Sequence, residues 1–175
     1  QSYGPVKTVK TVQSALAILI PFTESTSELF HATQAIRKQY DRHFYRWPPH
    51  INLLYPFIPH EDFEAAVDPL SELLRNIDPF TIDFTSIGSF IRPRKFGVWL
   101  SPQTREEDTV DGKCPLMNLQ DQLKNIFPKC NDLNSFEGGF SPHLTIGQFN
   151  KRKLYEAFIQ QQAWTPRPLP VAEVC

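Results

Sequence analysis

Pro49-His50-Ile51-Asn52-Leu53 and Pro142-His143-Leu144-Thr145-Ile146 are two versions of one phrase. In both, a histidine behind a proline opens an alternation of polar and apolar residues, the pattern of a half-buried strand. Successive strand side chains point to opposite faces, so His50 shares a face with Asn52 and His143 with Thr145. Ile51 and Leu53, like Leu144 and Ile146, fall on the opposite face and belong to a core. Each phrase runs on to a phenylalanine, Phe57 or Phe149, and is followed by a charged helix carrying Phe63 or Phe158. Two half-domains built on such strands can meet about a pseudo-two-fold axis. Two imidazoles and two short polar side chains would then surround one cavity.

Outward from these strands, the chain mixes helices and strands without regular alternation, which favours α+β over a doubly wound parallel sheet. Ala15–Ile20 is too short for a helix and stops at Pro21, so it reads as a buried strand. Residues 24–40 carry Leu29, Ala32/Thr33, Ile36 and Tyr40 at helical spacing, with an exposed Glu/Arg/Lys face. A helical stretch at 61–77 contains Asp68-Pro69, read as a cap and first helical position at which the stretch breaks. Thr81–Thr85 and Phe96–Leu100 read as antiparallel strands joined through Ile91–Lys95, and residues 101–113 as a polar loop. Pro115 opens a helix with a Leu116, Leu119, Leu123, Ile126/Phe127 stripe. Residues 151–164 form a helix with Leu154, Ala157 and Phe158 inward, and a last strand begins at Val171. Residues 1–13 are polar and read as a flexible N-terminal segment before a single bilobal domain over 14–175.

The 175 residues suit one such domain, and 41% hydrophobic with 21% charged is ordinary for a globular chain. Sixteen prolines against seven glycines mean that many turns are set by proline. A net charge of −1 argues against coating long duplex nucleic acid, although a pocket for one phosphate remains compatible with it. The apolar run at 15–20 is far short of the ~20 residues that span a bilayer, so no membrane partner is expected. Three cysteines, Cys114, Cys130 and Cys175, lack CxxC spacing and point to reduced thiols in the cytoplasm or nucleus. The chain starts with Gln and ends in Val-Cys, as a piece excised from a longer protein would. Other domains of that protein are then candidate partners, and the domain itself is expected to be monomeric.

Two histidines near neutral pKa suit phosphodiester chemistry. One deprotonates the attacking oxygen, the other protonates the leaving oxygen, and no metal or cofactor is required. A Ser, Thr or Asn beside each histidine can donate to non-bridging phosphoryl oxygens as charge develops there. No zinc-ligand spacing and no GxxxxGK[ST] loop occurs, so neither a metal site nor a nucleoside triphosphatase is expected.

The paired motifs, His50-Ile51-Asn52-Leu53 and His143-Leu144-Thr145-Ile146, resemble those of the two-histidine (2H) phosphoesterase superfamily, which includes RNA 2′,5′-ligase-like and cyclic phosphodiesterase proteins. The order of strands and helices matches it over roughly residues 14–175. The resemblance implies a bilobal α+β fold with antiparallel sheets around a central cleft and helices outside. It also implies metal-free hydrolysis of 2′,3′-cyclic phosphates or of 2′,5′ or 3′,5′ linkages in RNA ends or small nucleotides. His50 and His143 would be catalytic, and Asn52 and Thr145 would hold the phosphate. Asn52 departs from the usual Thr or Ser, but its amide can still donate.

Arg92, Arg94 and Lys95 sit in the strand connection, either as a solvated turn or beside the cleft as a trap for RNA phosphates. Tyr55, Phe90, Phe149 and Trp99 read as core aromatics; of the four, Tyr55 and Phe149, just beyond the histidine strands, are the best placed to stack a base. His31, His43 and His60 read as surface residues. The alternative function is a catalytically silent nucleotide- or RNA-end-binding domain of a larger protein. A protein-interaction module with an idle cleft is a third reading.

Overall fold

The apolar run after residue 14 forms β1 (Leu16–Leu19), which pairs antiparallel with β2 (His50–Leu54). Ile18 lies opposite Ile51 on the core face, whereas Ala17 and Leu19 lie opposite Asn52 and His50 on the other. That register explains why Ile18 and Ile20 are buried while Leu19 is 51% exposed. The strand is thus buried on one face only. The structure, a computed structural model, describes residues 9–109 and 111–171. Of the segment expected to be flexible, residues 1–8 lie outside these. In the remainder, Phe57 donates its backbone N–H to the Thr11 carbonyl (3.1 Å).

A second antiparallel sheet runs in the order β5 (Leu144–Phe149), β4 (Lys95–Thr104), β3 (Phe80–Arg92), β6 (Arg167–Val171). The β3–β4 pair is the hairpin expected from the sequence, extended at both ends and closed by a tip where Arg94 has φ 58°. β6 starts at Arg167, ahead of the expected Val171, and residues 172–175 lie outside the described part. The fold is α+β, with the two sheets unequal in size.

The helices cross over between the sheets. Helix α1 (Ser27–Tyr40) follows β1 yet packs on β5 and β6, and α3 (Pro115–Ile126) follows β4 yet packs on β2. Leu116, Leu119 and Leu123 bury the α3 stripe, and Pro115 occupies its first turn, where a missing N–H costs nothing. Helix α2 (Phe63–Leu74) continues through Pro69, where the sequence suggests a break. Pro69 is buried, and its packing offsets the one lost backbone bond. In α4 (Arg152–Gln161) Phe158 is buried as expected, but Leu154 points to solvent and Tyr155 takes the inward place. In α1 the exposed face lacks Arg37, which is 2% exposed. No helix among the described residues is long and apolar enough to cross a membrane.

Two bulges decide which side chains face the space between the sheets. Up to Phe84, β3 buries its even-numbered residues. An extra residue, Thr85, then shifts the register, so that Ile87 faces Leu100 while Gly88 and Phe90 face Trp99 and Gly97. On β5, Thr145 lies opposite Trp99 but Gly147 lies opposite Val98, the extra residue being Ile146. Gln148, opposite Gly97, therefore joins Thr145 on the cleft face.

Candidate functional site

The proline before each histidine holds the residue ahead of it extended, and in both motifs that residue's carbonyl turns toward the imidazole. His50 Nδ1 donates to the Pro48 carbonyl (2.7 Å) and His143 Nδ1 to the Ser141 carbonyl (2.9 Å). A carbonyl oxygen only accepts, so each Nδ1 carries the proton and each Nε2 is left for chemistry. The Pro-His pairs were the sequence signal for this arrangement. Ser141 contributes its backbone carbonyl to this arrangement.

Both histidines lie in one cleft made of two adjoining chambers, with Asn52 and Gln148 bordering both. His143 lines the larger chamber, about 920 Å³, together with Phe90, Arg92, Arg94, Lys95 and Phe149. His50 lines the smaller, about 240 Å³, with Thr145 and Tyr55. Every residue given a catalytic, phosphate-binding or substrate-binding role from the sequence thus borders the cleft. The strands β2 and β5 pack against each other across it.

Burial depresses the pKa of both imidazoles below the ordinary 6.5, because the charged form loses hydration. The backbone acceptors oppose this at each site. At His50 the Arg37 cation pushes further down and the Asp41 carboxylate pushes up, while at His143 the charge of His50 lowers the value. A charge on His50 thus makes protonation of His143 harder.

Aromatic rings supply much of that cover. The Phe90 and Trp99 ring centroids lie 4.9 and 6.2 Å from that of His143, and Trp47 lies 5.9 Å from His50. Phe90, read from the sequence as core, is 40% exposed in the larger chamber, put there by the Thr85 bulge. Phe149 borders the same chamber but packs its ring against Tyr40 and Phe158, at 5.5 and 5.2 Å. Tyr55 donates its hydroxyl to the Val12 carbonyl (3.3 Å).

Two polar atoms near the histidines are buried with no partner among the described residues, Asn52 Oδ1 and Trp99 Nε1. An unpaired buried acceptor in a cleft waits for a donor. A half-turn of the Asn52 amide would present its two N–H groups instead. Gln148 and Arg42, overlooked in the sequence, also border the cleft, as does His43, which is exposed as the sequence suggested. Arg42 and His43 carry no periodic signal, and Gln148 reaches the cleft only through the β5 bulge. His31 and His60 are exposed as expected. Among the described residues, no group of three or more His, Cys, Asp or Glu side chains is arranged to hold a metal ion.

Residues 25–175 match the family model described as the 2′-5′ RNA ligase superfamily. Proteins of Bacillus mycoides and Bacillus cereus, both provisionally named phosphoesterases, are 32% identical to the chain over 114 residues. That stretch covers 65% of this chain and 59% of each relative, so the match spans somewhat more than half the relatives' length. With the family model matching most of the chain and paired histidine motifs meeting in one cleft, the chain belongs to the 2′-5′ RNA ligase superfamily of two-histidine phosphoesterases.

Proposed function

We propose that the chain is a metal-independent phosphodiesterase acting on RNA ends or small nucleotides, at a 2′,3′-cyclic phosphate or at a 2′,5′ or 3′,5′ linkage. The observation that carries this reading is the matched anchoring of His50 and His143. Each has Nδ1 tied to a backbone carbonyl two residues upstream, and each keeps Nε2 for the cleft. A binding site for phosphate needs donors, but it has no use for two oriented imidazoles of depressed pKa.

In this mechanism the phosphoryl group sits between the two rings. One neutral Nε2 takes the proton of the attacking water or ribose hydroxyl, and the other, protonated, gives its proton to the departing oxygen. The hydroxyl of Thr145 and the amide of Asn52 donate to the non-bridging oxygens. Arg92, Arg94 and Lys95 draw the polyanion toward the larger chamber. Their mutual repulsion disfavours a proton on both rings at once, and acid–base catalysis requires a proton on one of the two.

The test is turnover in EDTA of short RNAs ending in 2′,3′-cyclic phosphate, of 2′,5′-linked oligoadenylate and of cyclic dinucleotides. Wild type should cleave at least one of them, and His50→Ala and His143→Ala should not. Nucleotide binding without turnover would instead support the silent binding domain, the reading that Asn52 in place of a hydroxyl residue favours.

A further inference from the structure

We propose that Arg37, Asp41 and Gln148 form a positioning relay that ties the two histidine-bearing strands to each other and so fixes the acid against the base. The proposal rests on reading His50 and His143 as the acid–base pair. None of the three relay residues would exchange a proton with substrate. They act through the groups they hold.

Arg37 is the hub, and its guanidinium spends its donors on three partners. Nε donates to Asp41 Oδ2 (2.8 Å), Nη1 to Gln34 Oε1 (2.9 Å) and Nη2 to the Trp47 carbonyl (2.7 Å). Trp47 immediately precedes Pro48, whose carbonyl receives the His50 Nδ1 proton. One peptide unit therefore separates the acceptor that Arg37 holds from the acceptor that orients His50. Arg37 also lies over the Phe44 ring, 5.6 Å from its centroid, in the loop that leads to His50.

Asp41 carries the relay to the other strand. Its Oδ1 accepts from Gln148 Nε2 (3.1 Å) and from the His43 backbone N–H (2.9 Å). Gln148 Oε1 in turn accepts the Arg42 backbone N–H (3.0 Å), so both ends of this amide are engaged. The bulge puts Gln148 on the cleft face beside Thr145. The connected path thus runs from the strand holding Thr145, through the end of α1, to the backbone that sets His50.

Stability alone gives little reason for such a device. Arg37 and Asp41 side chains are 2% and 3% exposed, and a buried ion pair is commonly no more stabilising than apolar residues of equal volume. What the pair supplies is directional. A guanidinium fork holds three acceptors at set angles, which a lysine ammonium on its flexible stem does not. The pair also presents opposite charges to His50. The other titratable or charged groups around that ring are His43, Arg46 and Tyr55, which line the same chamber, and His143 across the cleft.

The experiment compares full-length wild type with Arg37→Lys, Arg37→Gln, Asp41→Asn and Gln148→Met, measuring kcat, KM, thermal midpoint and the imidazole 15N titrations of His50 and His143. A misplacement of about 1 Å can cost on the order of 10²-fold. Arg37→Lys should accordingly lower kcat by roughly 10- to 100-fold with KM little changed, at temperatures where the variant is folded. Asp41→Asn should move the His50 titration down and Arg37→Gln should move it up, with His143 much less affected. Should the arginine variants fail to fold, Asp41→Asn and Gln148→Met, which leave Arg37 in place, carry the same test. A lowered thermal midpoint with unchanged kcat, or His50 titrations that do not move in opposite senses, would reduce the trio to an ordinary buried ion pair and overturn the proposal. Wild type without turnover on any substrate defeats the catalytic reading instead. In that case the 15N titrations and the His50 Nδ1–H bond to Pro48, followed in the same variants, still decide whether the relay holds the ring.

Discussion

The Phe90 ring stands edge-on to the His143 imidazole, with centroids 4.9 Å apart and planes at 81°. It comes from a strand that the sequence places face-inward at this position, and it covers a histidine whose charge is already disfavoured by burial. Phe90→Ala should let water reach the ring and raise the His143 pKa toward 6.5, as followed by 15N or C–H imidazole titration. If Phe90 also stacks a substrate base, KM should rise by an amount worth about 1–3 kcal/mol. An unmoved titration would mean that Trp99 and the strand backbone provide the cover without it.

General acid–base groups commonly contribute 10²–10⁴-fold each. His50→Ala and His143→Ala should therefore each lower kcat by about that factor on a substrate cleaved by wild type, and EDTA should leave the wild-type rate unchanged. Loss of activity in EDTA, restored by a divalent ion, would contradict the metal-independent mechanism.

The pH dependence has a definite sign. Both histidines titrate below 6.5 in the folded chain, so the unfolded chain binds protons more readily than the folded one. Stability from this source is complete above pH 6.5 and is lost as pH falls from there through the folded values. Denaturant midpoints should fall on acidification below that point, and a His50→Asn, His143→Asn double variant should flatten the fall. In kcat/KM, the alkaline limb reports the free-enzyme group that must stay protonated, and it should lie below 6.5.

Arg94 tests the basic tip of the β3–β4 hairpin. Its φ of 58° belongs to the left-handed region, where glycine is at no disadvantage. Arg94→Gly should therefore preserve the turn while removing one positive charge from the larger chamber. We expect higher KM for RNA, unchanged kcat, and a salt dependence of binding shallower by about one charge's contribution. A KM and salt slope equal to wild type would return Arg94 to the status of a solvated turn residue.

Gly88 tests the seat of the Trp99 indole. A Cβ there would come within 2.3 Å of the Trp99 indole, so the ring would have to move. Overpacking of this kind costs about 1–3 kcal/mol, read as a lower unfolding free energy for Gly88→Ala. Because Trp99 lies beside His143, activity should fall as well. A fully stable, fully active variant would mean that the indole has another place to go.

The strand motifs, their polar faces, the α3 stripe and the α+β class were all legible in the linear sequence. Local alternation and proline placement report which side of a segment is apolar, and that is enough to pair His50 with Asn52 and His143 with Thr145. Legibility ended where a single inserted residue reverses a face. Without the Thr85 and Ile146 bulges, simple alternation buries Phe90 and turns Gln148 away from Thr145. Arg37 was unreadable for another reason. An arginine on a helix looks solvated until the loop after α1 brings the Trp47 carbonyl to it, on top of Asp41 one turn further along the same helix. The sequence by itself determined the chemistry-bearing side chains, because their identities and two-residue spacing are local properties. Tertiary structure alone decided what surrounds and orients them, because register, helix crossover and burial depend on contacts between residues far apart in the chain.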